Sequence, residues 1–411
     1  MLYLKWQKML FRWPNYLNKK SMNQQNEIFP YFQPIIGVAS GKIIGYEALA
    51  RQYDEDKQII SAGNIFCNED IEVEERIELD RNIRRQALER FSQLPGNSYL
   101  TLNISSAWIE YVSDMNELPT LKMIDEFGID RSRIIIEITE TEGDIDRLVK
   151  LVGIYRKNGL KVAIDDFGAG FSQLERVMAI RPDIIKIDMR LFKKAAKGGI
   201  ASDVVHLLAR LSKRTGCRIV CEGVETAEQF VFGLNCGAQF LQGYLFSEAK
   251  AEFLPELAFE KHLGSLRNKF LSKTLVKQQN KIKKISNIKQ LILRLKDTLQ
   301  DDFNLNELAT WNFEATGILR FYLCNNQGVQ VSPNFNFSEK KWYTDPSKIG
   351  FNWSWRSYFY NLLALEAAEE PDLHRFVTSE RYKDFDTEFL CKTLSIRLDQ
   401  NRVLLVDIKT D

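Results

Sequence analysis

Long apolar runs are missing from this 411-residue chain. No stretch of about eighteen or more apolar residues occurs, so nothing in it reads as a membrane-spanning helix. Cysteine is scarce, six residues spread from Cys67 to Cys391. They make no disulfide framework, and a reducing, cytoplasmic compartment is expected. Cys217, Cys221 and Cys236 are not near a histidine and their spacing suits no zinc pattern, so they read as buried apolar residues. The start of the chain, Met1 to Leu17, carries Lys5, Lys8 and Arg12 among Trp and Leu. It lacks the unbroken apolar centre and small-residue cleavage site of a secretory signal.

A strong net charge is also absent, but the total of +1 hides a split. Residues 1–27 carry +4, residues 262–300 carry +9, and the remaining 345 residues sum to −12. An acidic body argues against a nucleic-acid groove, including one for a duplex. It suits cation binding if the acids converge. The basic stretches read as solvated helix faces, with an anionic surface as the alternative partner. Apolar content of 45% with 27% charged residues is ordinary globular composition. The length exceeds one ordinary core, so a barrel-sized domain plus a smaller one is expected.

From about 28 to 260, short β-branched runs alternate with amphipathic stretches. The runs are Phe32 to Val38, Ile43 to Ala50, Tyr99 to Ile104, Ile134 to Ile138, Lys161 to Ile164, Ile184 to Ile187, Arg218 to Cys221 and Phe240 to Tyr244. Helical patterns such as Glu72 to Leu94, Ile145 to Lys157 and Ser202 to Thr215 lie between them. Eight strands with intervening helices predict an α/β fold, a (β/α)8 TIM-like barrel. A doubly wound open sheet is the alternative, weakened because no Gly-rich phosphate turn follows the first strand. Residues 256–300 read as a helical linker, one long helix or two. In it Ile282, Ile285, Ile288, Ile292, Leu295 and Leu299 form one apolar stripe. Residues 301–411 read as a small α+β domain. Gly317 to Cys324 with Val329 to Val331 predicts one hairpin, and Phe389 to Leu398 with Val403 to Ile408 a second. The aromatic group Trp353, Trp355, Tyr358 and Phe359 between them reads as core, with a ligand pocket as the alternative.

The chemistry lies in the polar residues of the apolar runs. Glu47, Asn103, Glu137, the pair Asp165-Asp166, Lys186 with Asp188, Glu222 and Gln242 sit in or at the ends of seven of them. Ionisable groups inside apolar strands are costly unless paired or metal-bound. At the mouth of a barrel such residues point at one place. Glu, Asn and Asp offer only oxygen, the donor set of Mg²⁺ or Mn²⁺. Two adjacent aspartates suit a pair of ions, and a two-ion site suits phosphodiester hydrolysis. Lys186 offers a charge for developing negative charge, and Glu222 a base. An ion-free ionic network is the bland reading, and carboxylates so crowded would repel one another without cations.

These residues resemble a known family. Glu47-Ala48-Leu49 followed by Arg51 is similar to the signature of EAL domains, the cyclic di-GMP phosphodiesterases. Gln33-Pro34-Ile35, Asn103-Ile104-Ser105, Glu137-Ile138-Thr139-Glu140, Asp165-Asp166-Phe167-Gly168-Ala169-Gly170-Phe171-Ser172, Lys186-Ile187-Asp188, Glu222-Gly223-Val224-Glu225-Thr226 and Gln242-Gly243-Tyr244 look like further family motifs, in family order. The resemblance covers about residues 28–255, after an N-terminal extension of residues 1–27. It implies a barrel in which one early strand runs antiparallel. It implies that Glu47, Asn103, Glu137 and Asp165 bind a first metal and that Asp165 and Asp166 reach a second. Glu47, Lys186 and Glu222 would be catalytic, the last two by activating water. Gln33, Leu49, Arg51, Asp188 and Gln242 would meet the substrate, with Arg51 on a phosphate. Glu140 and Glu225 would couple a loop to a homodimer. The product would be linear 5′-pGpG.

Three positions depart from the family pattern. The loop has Ala169 and Phe171 for the usual Thr and Tyr, Cys221 precedes Glu222 in place of Ala, and Glu248-Ala249 replaces a basic-Pro pair. None removes a ligand. The C-terminal part resembles the PAS-like domain appended to some bacterial EAL proteins, some of which bind the dinucleotide with degenerate catalytic loops. Two readings follow, a metal-dependent phosphodiesterase and a catalytically silent cyclic di-GMP receptor. An enolase-type barrel is a third, disfavoured because no capping domain is evident.

Overall fold

The structure is a computed structural model that describes residues 28–66, 68, 70–104, 117–138, 144–169, 173–299, 303–311, 313, 316–368, 375–384 and 386–410. Nine strands run through the first part of the chain: β1 (Phe29–Gly37), β2 (Ile43–Tyr53), β3 (Ile59–Ser61), β4 (Tyr99–Ile104), β5 (Ile134–Ile138), β6 (Lys161–Phe167), β7 (Ile184–Ile187), β8 (Arg218–Cys221) and β9 (Phe240–Leu241). β1 and β2 form an antiparallel hairpin. From β2 the sheet continues in parallel through β4, β5, β6, β7, β8 and β9. β9 returns to β1 in antiparallel pairing, with Ile36 opposite Leu241, and closes the ring. The result is an eight-stranded barrel in which β1 alone runs backwards, with β3 added to the far end of β2. The open-sheet alternative is excluded by that closure.

Alternation along the strands sorts side chains into two cores. Leu100, Leu102, Ile134, Ile136, Ile185, Ile187 and Ile219 join the outer core under the helices. Ile35, Ile135, Ala163, Ile184, Val220 and Phe240 form a separate inner cluster. The helices supply the matching faces. In the helix Ile145–Lys157, Leu148, Leu151, Val152 and Tyr155 recur at helical spacing and are buried. Asp144 caps it by accepting from the backbone N–H groups of Asp146 and Arg147. Thr226 and Gln229 make a capping box at the start of Ala227–Cys236.

The chain divides into two compact units between Phe270 and Leu271. The linker is one continuous helix, Glu260–Thr298. Of its apolar stripe, Ile288, Ile292, Leu295 and Leu299 are buried in the second unit's core, whereas Ile282 and Ile285 are exposed. That unit carries β10 (Ile318–Asn325), β11 (Asn334–Ser338), β12 (Lys341–Asp345), β13 (Phe376–Thr378), β14 (Tyr382–Lys383), β15 (Leu390–Arg397) and β16 (Arg402–Lys409). They form one antiparallel sheet in the order β12-β11-β10-β16-β15-β13, with β14 also on β15.

The second expected hairpin is present as β15 and β16. The first differs. Val329 to Val331 forms only isolated bridges, and β10 instead pairs with β11. The turn itself is made, Asn325 and Val329 exchanging a backbone bond of 2.9 Å. The return segment keeps one more bond to β10, from the Val331 N–H to the Leu323 carbonyl at 2.8 Å, while the Gln330 N–H, facing away from β10, donates to the Phe351 carbonyl. Tyr358 and Phe359 are core residues, as expected, while Trp355 is exposed.

Candidate metal centre

One inward step above the inner cluster, every barrel strand presents a polar residue. Gln33, Glu47, Asn103, Glu137, Asp165 and Lys186 lie on β1, β2, β4, β5, β6 and β7, and Glu222 and Gln242 directly follow β8 and β9. Register holds them at one height: Gln33 lies opposite Glu47, and Asn103 opposite Glu137. The antiparallel direction of β1 does not disturb this, because Gln33 precedes Ile35 where the parallel strands place the polar residue second.

Lys186 is the centre of the cup and is only 1% exposed. Its Nζ lies 2.8 Å from Glu222 Oε1, 2.9 Å from Asp165 Oδ1, and 3.1 Å from both Glu47 Oε2 and Glu137 Oε2. Amides complete the wall. Asn103 Nδ2 donates to Glu47 Oε1 at 3.1 Å, and Gln242 Nε2 donates to Glu47 Oε2 at 2.7 Å and to Gln33 Oε1 at 3.0 Å. Gln33 in turn donates to the Ser247 carbonyl. Gln242 is held by Gly243, where φ is 155° and a Cβ would meet the Val224 backbone at 2.3 Å.

The Asp165-Asp166 pair owes its placement to an irregularity. β6 and β7 pair at Ile164 with Ile185 and next at Phe167 with Ile187, so β6 carries one extra residue. Asp166 takes up the slack in the left-handed region, at φ 52°. Both aspartates thereby offer an oxygen at one place. Among the described residues, oxygens of Glu47, Glu137 and Asp165 lie within 4.8 Å of one another, as do those of Asp165, Asp166 and Glu222.

The residues fit divalent cations. Four carboxylates share one ammonium, and Glu137 Oε1 is buried without a hydrogen-bond partner. Burial pushes the Glu137 and Asp165 carboxyls up in spite of Lys186. It raises Asp166 to about 6 and Glu222 to about 8, the neighbouring carboxylates adding to the effect. Glu47 goes the other way. Burial raises it, but Lys186, Gln242 and Asn103 together outweigh that. Lys186 is held well above its ordinary value because four carboxylates overcome its desolvation. A cup that must protonate its own acids lacks positive charge, and an all-oxygen donor set selects hard ions.

The other expected site residues lie around this cup. Leu49 and Arg51 are half-buried further along β2, and Arg51 Nη1 donates to the Ala50 carbonyl. Asp188 caps the helix Met189–Ala195, its Oδ1 accepting from the Arg190 and Leu191 N–H groups. Glu225 is exposed and pairs with Lys193 at 2.8 Å. Glu140 lies outside the described residues. Sequence reading missed Thr101, buried one inward step below Asn103; counting by two along β4 finds it.

A family model for the EAL domain matches residues 17–249. The chain belongs to the EAL-domain family. A second model, for an EAL-domain associated signalling protein domain, matches residues 256–411. Over 392 residues the chain is 27% identical to the uncharacterized EAL-domain containing protein YkuI of Bacillus subtilis, covering 93% of this chain and 94% of YkuI. The YkuI crystal structure, in complex with substrate c-di-GMP and calcium, superposes with a TM-score of 0.78 at 25% identity, covering 94% and 97% of the two chains. The cyclic di-GMP phosphodiesterase PdeL of Escherichia coli is 27% identical over 235 residues, which are 54% of this chain and 63% of PdeL. A calcium and cyclic di-GMP complex of Klebsiella pneumoniae BlrP1 matches with a TM-score of 0.50 at 28% identity, covering 57% of this chain and 58% of BlrP1. No helix among the described residues is long and apolar enough to cross a membrane.

Proposed function

We propose that the protein hydrolyses cyclic di-GMP to linear 5′-pGpG, using the cup around Lys186. The observation that carries this is the convergence of Glu47, Glu137, Asp165 and Glu222 on one buried ammonium, with Asp166 beside them. Glu47, Asn103, Glu137 and Asp165 would hold one divalent ion, Mg²⁺ or Mn²⁺, and Asp165 and Asp166 a second. Such ions supply Lewis acidity, a water of lowered pKa and charge neutralisation at a phosphodiester.

The chain's own residues do the rest. Glu222 accepts the proton of the attacking water as the new P–O bond forms and the bond to the 3′ oxygen breaks. That oxygen leaves with a proton from solvent. Lys186 offsets the negative charge that builds on the phosphoryl oxygens. Gln242 and Asn103 orient Glu47 through its two oxygens. Arg51 holds a phosphate, with Gln33 and Leu49 alongside. Asp188 reaches the ligand through Oδ2, since its helix-capping bonds run through Oδ1. Glu140 and Glu225 set the loop after β6 in a homodimer, a role that sedimentation of Glu225→Ala tests.

The deciding experiment is chromatography of cyclic di-GMP incubated with the purified protein and Mn²⁺, Mg²⁺ or EDTA. Linear 5′-pGpG is expected with either metal and not with EDTA. Intact ligand retained on the protein after hours with both metals would leave a receptor in place of an enzyme.

A further inference from the structure

Below the cup the barrel interior is incompletely filled. A cavity of about 140 Å³ lies in the inner layer, between Ile35, Ile135, Ile184 and Val220. It exists because β2 and β4 place small residues in its wall. Gly45 must be small, since a Cβ there would meet the Tyr99 carbonyl oxygen at 2.8 Å. Thr101 is the other. The cavity reaches from Glu137 at its inner end to Tyr99, Lys161 and Arg218, which begin β4, β6 and β8. Those strand starts form the face of the barrel opposite the cup.

Two features of the cavity call for a ligand. The first is cationic. Lys161 Nζ lies 3.2 Å from the Tyr99 hydroxyl and 4.3 Å from the centre of its ring. The Arg218 guanidinium lies 5.6 Å from the Phe240 ring centre. Among the described residues neither cation pairs with a carboxylate. Asp183 is the acid that lines the cavity at this end; its Oδ2 accepts from the Val162 N–H at 2.9 Å and lies 3.6 Å from Arg156. The Lys161 hydrogen bond, helped by Arg218, holds the Tyr99 phenol below its ordinary value. The second feature is deep and polar. Thr101 is 2% exposed, and its Oγ1 has no hydrogen-bond partner.

We propose that this pocket binds a small organic carboxylate, its apolar part inside the barrel and its charge between Lys161 and Arg218. The walls set the apolar part: a cavity of about 150 Å³ accommodates a group of about six heavy atoms. A bare phosphate would leave those walls uncovered. The two cations set the sign, and a guanidinium with an ammonium matches a carboxylate. This site is separate from the reading of the cup and stands or falls without it.

The test is isothermal titration of the full-length protein with 3-methylbutanoate, against 3-methylbutanamide and inorganic phosphate. Saturable binding of the acid is expected, about tenfold or more tighter than either control. Lys161→Met and Arg218→Met should each weaken it about tenfold, with cyclic di-GMP turnover without added acid unchanged. A crystal soak of the unmodified protein should place the carboxylate between the two cations, which keeps the test decisive if a variant fails to fold. The proposal is overturned if the amide or phosphate binds as well as the acid. It is equally overturned if both variants bind unchanged, if no saturation appears by about 50 mM, or if the soaked acid lies elsewhere.

Discussion

Each unit of the chain buries one cation among several carboxylates, and the two clusters are solved differently. In the second unit Arg320 sits with Asp384, with Asp386 at 2.8 Å and with Asp407 at 3.2 Å. Protein donors serve those acids. Thr387 gives Asp384 both its N–H and its hydroxyl, at 2.9 and 2.6 Å, and Thr393 and Tyr382 give hydroxyls to Asp407 at 2.7 and 3.1 Å. Burial alone would raise Asp384, yet Thr387 and Arg320 bring it below its ordinary value, and of the two acids most buried there only Asp407 stays raised, burial outweighing Arg320, Thr393 and Tyr382. In the barrel the acids outnumber the donors, and four of the five carboxyls are raised. Buried charge answered by the protein's own hydrogen bonds is architecture; buried charge left over is a place for ions.

The widest separation should appear in activity. Glu47→Ala is expected to lower Mn²⁺-dependent turnover by about 10³-fold or more, with the fold intact by circular dichroism. Wild-type rates would refute the metal assignment. Arg320→Met reverses the pattern. It leaves Asp384 and Asp407 without a cation, Asp386 keeping only Lys348 at 3.7 Å, and should destabilise the second unit by about 3 kcal/mol or more in denaturant titration, while metal binding by the barrel persists. If that unit were equally stable, its cluster would not be structural.

Mn²⁺ itself should stabilise the barrel by about 3 kcal/mol at a hundredfold excess over its Kd, read as a shift of the barrel's unfolding transition, and should do nothing for Glu47→Ala. Carboxyls raised by burial must lose protons before holding a cation. The stabilisation should therefore grow as pH rises through about 6 for Asp166 and about 8 for Glu222. Without metal the sign reverses: ionising the same groups costs stability, and the barrel weakens as pH rises from the ordinary carboxylate range up to about 6 for Asp166 and about 8 for Glu222. A shift independent of pH would break the link between acids and ions. The smallest effect is Thr393→Val, which removes one hydroxyl from Asp407 and should cost about 1–2 kcal/mol by the same denaturant measurement.

The contrast also explains what could be read in advance. Glu137 and Lys186 stand out in the sequence because their neighbours on β5 and β7 are isoleucines. Seven such interruptions in a regular strand pattern locate a rim. The extra residue in β6 leaves no such mark, because an Asp-Asp pair written on paper should split between two faces. The direction of β1 was equally silent in the residues and came only from family resemblance. Thr101 was overlooked because threonine is ordinary in a strand, and its importance lies in what is missing beside it. The Arg320 cluster could not be assembled at all. Its members come from β10, β16 and the segment between β14 and β15, and nothing in their spacing joins them.

The reversed first strand has a further consequence. In an all-parallel barrel the polypeptide enters at the base, far from the chemistry. Here Phe29 lies opposite Arg51, beyond Glu47 on the open side of the cup, and Ile28 is fixed there with Ala62 and Ile83. The polypeptide therefore joins the barrel, at Ile28, on the rim of the carboxylate cup and not at the floor beneath it.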